Sequence, residues 1–268
     1  MAEAAIIHNR KMKSRETTLN ILLWILIGIL FLFLAGELIV QFFIIPNFTI
    51  KHVNVQSDFP VSKDAVLKLA GINNKLYYFE VKPNVIATRI EEYPLVKRAA
   101  VKKVFPDTLS IVITGRKPLA VALVNTEEKS VPVLLDEDGV IFHIGGAGRE
   151  LNLPVISGLS FKDFRIGTIL PKKVKPFLTD LYRLKEDYPN LFKIISEIRI
   201  IPKSSTDYEL VFCPVSYNVK VRLGKRLEAK TVKYALMVLD LLKDDIKSRG
   251  IDELDFREGN MVYKVREE

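Results

Sequence analysis

A single cysteine, Cys213, and three scattered histidines, His8, His52 and His143, are all that the 268 residues offer in thiols and imidazoles. One thiol makes no intramolecular disulfide and no cysteine-based zinc site. Metal and acid-base chemistry therefore start with a poor supply of ligands and titrating groups, although carboxylates alone could still do some of it. The usual catalytic and phosphate-binding signatures are missing too. Gly145 to Gly148 is not followed by a helix-opening Lys-Ser or Lys-Thr, and Gly224-Lys225 lacks the upstream glycine of a phosphate loop. Asp136-Glu137-Asp138-Gly139 lacks the later ligands of a calcium loop and reads as a hairpin turn. There is no Gly-x-Ser-x-Gly, no Ser-x-x-Lys and no His-Glu-x-x-His. Cys213, between Phe212 and Pro214, reads as a small apolar residue at a strand end. No catalytic residue, cofactor or metal is expected.

What is present is apolar material: 49% of residues are hydrophobic against 27% charged, which excludes a disordered or fibrous chain. It is concentrated at one place. Thr17 to Gly36 contains no charged side chain, and at about 1.5 Å per residue it reaches the about 30 Å thickness of a bilayer core. Arg10, Lys11, Lys13 and Arg15 precede it and Glu37 follows, so the amino terminus is expected inside and everything after roughly Val40 outside. A cleaved signal peptide has a shorter apolar region and a small-x-small site, which Leu34-Ala35-Gly36-Glu37 does not supply. An exported domain does not meet the chromosome, so the net charge of +8 is not read as nucleic-acid binding. Lys97, Arg98, Lys102 and Lys103 alternate with valines and alanines rather than stacking aromatics, the pattern of a solvated strand face.

Beyond the span the pattern is strand, helix, helix, strand, strand. Thr49 to Gln56 is strand-like. Ser62 caps a helix that Gly71 stops, and Pro83 opens a second that ends before Pro94. Strands at about Ala99 to Phe105 and Leu109 to Ile113 flank a Pro106-Asp107 turn. From Leu119 the signals are mostly strands: 119–124, 131–135, 140–144, 194–201, 208–212, 219–223, 252–256 and 261–265. Asp138-Gly139 forms a hairpin, and Gly145 to Gly148 and Pro154 are loop. Two helices interrupt them, Val174 to Tyr188 and Glu228 to Ser248. The second buries Val232, Ala235, Leu236, Leu239, Leu242 and Ile246 and turns Lys230, Lys233, Lys243 and Lys247 outward. The expected fold is α+β: a cytoplasmic tail at 1–16, a transmembrane helix and stalk at 17–45, a small α+β domain at 46–117 and a mostly antiparallel β domain at 118–268.

Two stretches carry a family resemblance. Tyr93 to Val121 reads YPLVKRAAVKKVFPDTLSIVITGRKPLAV, with Pro94, Val96, Ala99, Val101, Pro106, Leu109, Arg116, Pro118 and Ala120 in register; Leu135 to Gly158 adds an Asp-x-x-Gly hairpin and Leu-Pro-x-x-x-Gly. Together with Leu223-Gly224-Lys225 and Leu254-Asp255-Phe256-Arg257, this order resembles the FtsQ/DivIB family of bacterial cell-division proteins. Gly115, Leu95 and Glu258 depart from it, standing where the family commonly has Glu, Trp and an aromatic. The resemblance implies a POTRA domain at 46–117 and a non-enzymatic, single-pass scaffold of the cytoplasmic membrane at the division septum. It also implies partners of the FtsB and FtsL type, other divisome membrane proteins, and a role in positioning and regulating septal peptidoglycan synthesis. The partner surface it implies is the last strand and its approach: Asp255, Phe256, Arg257, Met261, Val262, Tyr263, Lys264 and Val265. A factor for envelope protein assembly and an anchored cell-wall enzyme are the alternatives. The roughly 150 residues after Pro118 are too few, and too interrupted by helices, for a membrane barrel of about eight strands.

Overall fold

The computed structural model describes residues 2–44, 48–72, 76–125, 130–145, 152–161, 164–204, 207–257 and 261–265, with side chains from residue 19 onward except 43–44. Gly146 to Gly148 and Glu258, singled out above, lie outside the described residues. The chain divides into two compact units, residues 1–90 with 99–113, and residues 91–98 with 114–268. Residues 91–98 and 114–117, on the POTRA side of the expected boundary, therefore group with the second unit.

The first unit opens with one helix, α1 (Ala2–Ile39), which passes into a π-helical turn at Val40–Ile44. Leu19–Phe42 is long and apolar enough to cross a membrane. Its large side chains are exposed all round, as at Trp24, Phe31 and Leu32, so none of this apolarity is spent on a protein core.

The POTRA part follows as β1 (His52–Ser57), α2 (Lys63–Leu69), α3 (Pro83–Glu91), β2 (Val96–Val104) and β3 (Thr108–Gly115), in the expected order. Ser62 caps α2 by accepting from the Ala65 N–H at 3.2 Å, and Gly71 leaves the helix in the left-handed region at φ 69°. The sheet order is β1-β3-β2, with β1 parallel to β3. A parallel pair needs a long crossover, and the two helices supply it. Val66, Ile86 and Ile90 of the helices and Leu109, Ile111 and Ile113 of β3 are all buried.

The second unit is built on a nine-stranded sheet of order β12-β11-β10-β9-β8-β7-β4-β5-β6. Its strands are β4 (Ala120–Asn125), β5 (Ser130–Leu135), β6 (Ile141–Ile144), β7 (Val155–Ser160), β8 (Ile195–Pro202), β9 (Tyr208–Pro214), β10 (Lys220–Leu223), β11 (Ile251–Asp255) and β12 (Val262–Val265). Antiparallel pairs dominate, but β4–β7, β7–β8 and β10–β11 are parallel. The core gathers the inward residues of these strands around Phe177, Leu181 and Leu184 of α4 (Lys175–Asp187) and Val232, Ala235 and Leu239 of α6 (Ala229–Leu241).

Three features differ from the sequence reading. β7 directly follows the Pro154 loop, where the sequence reading has no strand. Its buried residues Ile156 and Leu159 are three apart because Gly158 adopts φ 83°, so the strand lacks the period of two that betrays its neighbours. A short helix, α5 (Pro189–Ile194), follows α4 directly. The long helix expected to Ser248 is broken at Leu242, after which α7 (Lys243–Arg249) starts afresh with Asp244 and Asp245 in its first turn. Among the described residues four α-helices, not two, serve the β domain, since six or seven residues are too few for helical spacing to register.

Candidate partner-binding edge

The last strand closes one side of the large sheet. Among the described strands β12 pairs with β11, antiparallel, from Ile251↔Val265 to Asp255↔Val262 with a bulge between Ile251 and Glu253. All four of its residues are exposed, Val262 at 64%. Its outer side therefore carries backbone N–H and C=O groups with no strand neighbour among the described residues. β11 is itself fixed by parallel pairing to β10, which only a crossover through α6 and α7 makes possible.

The sequence-derived partner residues fall into three groups. Val262, Tyr263, Lys264 and Val265 form the exposed strand. Phe256 is buried, its ring edge-on to Tyr234 of α6 at 5.7 Å, and Met261 packs against the core, so both brace the strand from inside. Asp255 and Arg257 belong to an ion network. The Arg257 guanidinium donates from Nη2 to Asp255 Oδ2 at 2.5 Å and from Nη1 to Glu209 Oε2 at 3.2 Å.

Glu209 of β9 is the hub of that network. It is buried, yet it also accepts from Arg222 of β10 at 2.5 Å and faces Lys203 Nζ at 3.0 Å. Arg222 in turn grips Glu253 of β11 with Nε and Nη2, at 2.9 and 3.1 Å. Side chains of β9, β10 and β11 and Arg257, two residues past β11, are thus tied across the strands, which fixes the register of the strands behind the edge. Burial pushes the Glu209 carboxyl up, but the bonds from Lys203 and Arg222 outweigh it and the group sits below its ordinary value. The bond from Arg257 likewise holds the Asp255 carboxyl down.

A feature the sequence reading missed lies on α6. Tyr234, Met237 and Leu241, at i, i+3 and i+7, are exposed at 49%, 56% and 81% and form an apolar stripe apart from the core-facing one. Helical spacing was the available signal, obscured because the helix is apolar on more than one side.

The basic strand of the POTRA segment is partly engaged within the chain. Lys97 pairs with Glu137, and Lys103 donates to the Tyr78 carbonyl at 3.0 Å, while Arg98 and Lys102 are exposed. Burial pushes the Cys213 thiol up, which makes it a poor nucleophile. Among the described residues no group of three His, Cys, Asp or Glu side chains is placed to hold a metal ion.

An apolar amino-terminal helix, a five-element POTRA unit and a nine-stranded sheet with one open edge define a membrane-anchored POTRA protein. Residues 48–116 match the family model described as "POTRA domain, FtsQ-type". The chain is 28% identical over 221 residues to the cell division protein DivIB of Bacillus cytotoxicus, covering 81% of this chain and 79% of that protein. It is 25% identical over 209 residues to the cell division protein FtsQ of Geobacter sp. (strain M21), covering 76% and 72%. A match to the DivIB protein of Clostridium acetobutylicum, 25% over 127 residues, spans about half of either chain, 47% and 49%. The FtsQ-type POTRA match and the relatives named DivIB and FtsQ together support the FtsQ/DivIB family of cell-division proteins as what this chain is similar to.

Proposed function

We propose that this protein is a non-enzymatic scaffold of the division machinery that holds an FtsB-type partner by strand addition at β12 and, with FtsL-type proteins, helps to position and regulate septal peptidoglycan synthesis. The observation that carries this reading is the exposed outer side of β12 at the end of a nine-stranded sheet. A partner strand there gains affinity from main-chain hydrogen bonds and selectivity from alternate side chains. Arg257 offers only its outward N–H groups to a partner carboxylate, since Asp255 and Glu209 already occupy the rest. Strand pairing therefore leads and the charge pair assists.

Proline substitution tests this. Neighbouring strand residues aim their N–H groups at opposite edges, so of Val262→Pro and Tyr263→Pro one breaks the β11 pairing and the other only the outer edge. The variant that keeps its circular dichroism and melting curve is expected to lose binding to the FtsB periplasmic segment in calorimetry. If that folded variant binds with unchanged affinity, the interface is elsewhere. Arg257→Glu is a weaker test, because it sets an acid against Asp255 and Glu209 within the chain itself.

The proposed orientation places the amino terminus in the cytoplasm and the two units outside. It follows from Arg10, Lys11, Lys13 and Arg15 before the span. Protease added to spheroplasts should digest the chain after Val40 and spare the first residues; protection of residues 119–268 would reverse the assignment.

A further inference from the structure

Phe48, Tyr78, Phe79 and Phe105 form one aromatic cluster on the POTRA part of the first unit. Phe48 meets Phe79 edge-on at 5.7 Å and Phe105 at 5.9 Å, and Tyr78 meets Phe79 at 5.4 Å and Phe105 at 6.0 Å. The rings are not there to fill a core: Phe105 is 67% exposed and Phe79 53%, with Val104 at 49% beside them. Backbone pairing holds the platform in place. Tyr78 N–H donates to the Phe48 carbonyl and Ile50 N–H to that of Leu76, both at 2.8 Å, and Thr49 bridges Tyr77. Lys103 lies over the Tyr78 ring at 5.1 Å, and exposed Lys51 and Lys102 add positive charge against Glu80 and Asp107.

Connectivity says what such a surface meets. Phe48 follows Phe42, the last residue of the membrane-spanning stretch, by six positions, so the chain cannot carry it more than about 20 Å from that residue. Contiguous exposed apolar rings mark an interaction surface, and aromatic side chains are favoured at the water–lipid boundary, where cationic neighbours add attraction to anionic headgroups.

We propose that this aromatic cap lies in the headgroup region of the membrane that holds α1, a second lipid contact that presses the POTRA part against the bilayer. The proposal rests on the membrane-anchor reading, and the test separates the two. Trp24 is the only tryptophan and lies in the span. The full-length protein is placed in nanodiscs containing anionic lipids brominated near the headgroup end of the acyl chains, or the same lipids unbrominated. Loss of native Trp24 emission reports the span. In a Trp24→Phe background, Phe79→Trp and Phe105→Trp should each lose most of their emission to bromine. Val112→Trp, on an exposed position of β3 away from the cap, should lose little. Circular dichroism confirms that each variant is folded. If Trp24 is quenched while folded variants bearing tryptophan at 79 and 105 behave like the control at 112, the cap does not touch lipid and the anchor stands. If Trp24 is not quenched, both readings fall.

Discussion

The Arg116 guanidinium donates to the fully buried Asp136 carboxylate at 2.5 Å, and the other oxygen of Asp136 accepts from the N–H groups of Asp138 and Val140 at 3.0 and 2.8 Å. Arg116 also donates from Nε to the Pro94 carbonyl at 3.0 Å. The Arg-x-Pro and Asp-x-x-Gly motifs, some 20 residues apart in sequence, are thus two halves of one contact.

Asp136→Ala leaves a guanidinium and two hairpin N–H groups without their acceptor. A loss of about 3–5 kcal/mol is expected, the usual cost of removing one member of a buried ion pair. Urea unfolding of the full-length protein checks it, and a midpoint within experimental error of the parent would contradict the contact's importance.

At Gly158 an added Cβ would stand 2.1 Å from the Ile200 carbonyl oxygen, on a residue whose φ is already 83°. Backbone cannot yield as a side-chain tip does. Gly158→Ala should cost at least about 3 kcal/mol or prevent folding, strain and overlap acting together. A thermal melt like that of the parent would show that β7 and β8 separate without penalty.

Glu209 titrates below its ordinary value of about 4.3 in the folded chain. A carboxyl depressed on folding contributes stability that is fully present above its unfolded pKa and is lost as pH falls through its folded pKa. Glu209→Gln should therefore weaken the protein by about 1–3 kcal/mol at neutral pH and flatten the fall in stability below about pH 4. Denaturant midpoints from pH 7 to pH 3 give both numbers. Parallel curves for parent and variant would exclude Glu209 as a source of acid sensitivity.

Leu239 is fully buried in α6, whereas Lys243 opens α7 in solvent. Leu239→Ala should cost about 2–5 kcal/mol and Lys243→Ala no more than about 0.5 kcal/mol. Equal shifts in a denaturant titration would mean that the helix is not seated as described.

Features set by neighbours in sequence were readable from the residues: the cap at Ser62, the stop at Gly71, the opening at Pro83, and the alternation of Leu109, Ile111 and Ile113. Features set by distant partners were not. Arg257 was read as available to a partner because Glu209, which engages it, lies 48 residues earlier and is brought close only by the sheet. The parallel pairing of β10 with β11 follows from the path of α6 and α7 rather than from either strand's composition. The last strand's position at the sheet's end became visible only with the strand order. The exposed stripe Tyr234, Met237 and Leu241 had a signal in its spacing, but a helix apolar on two sides does not declare which one the core takes.

The opposite end of the large sheet is sealed at Ile141, whose N–H donates to the Thr168 carbonyl at 2.8 Å and whose carbonyl accepts from Gly167 N–H at 2.6 Å. The proposed strand addition therefore has a direction on this sheet: it is offered at β12 and blocked beside Ile141. In the proposed mode, strand addition at β12 gives each copy one place for a donor on the large sheet. Under the proposed mode of binding, occupancy then saturates at one donor per chain, and the scarcer of the two proteins sets how many complexes exist.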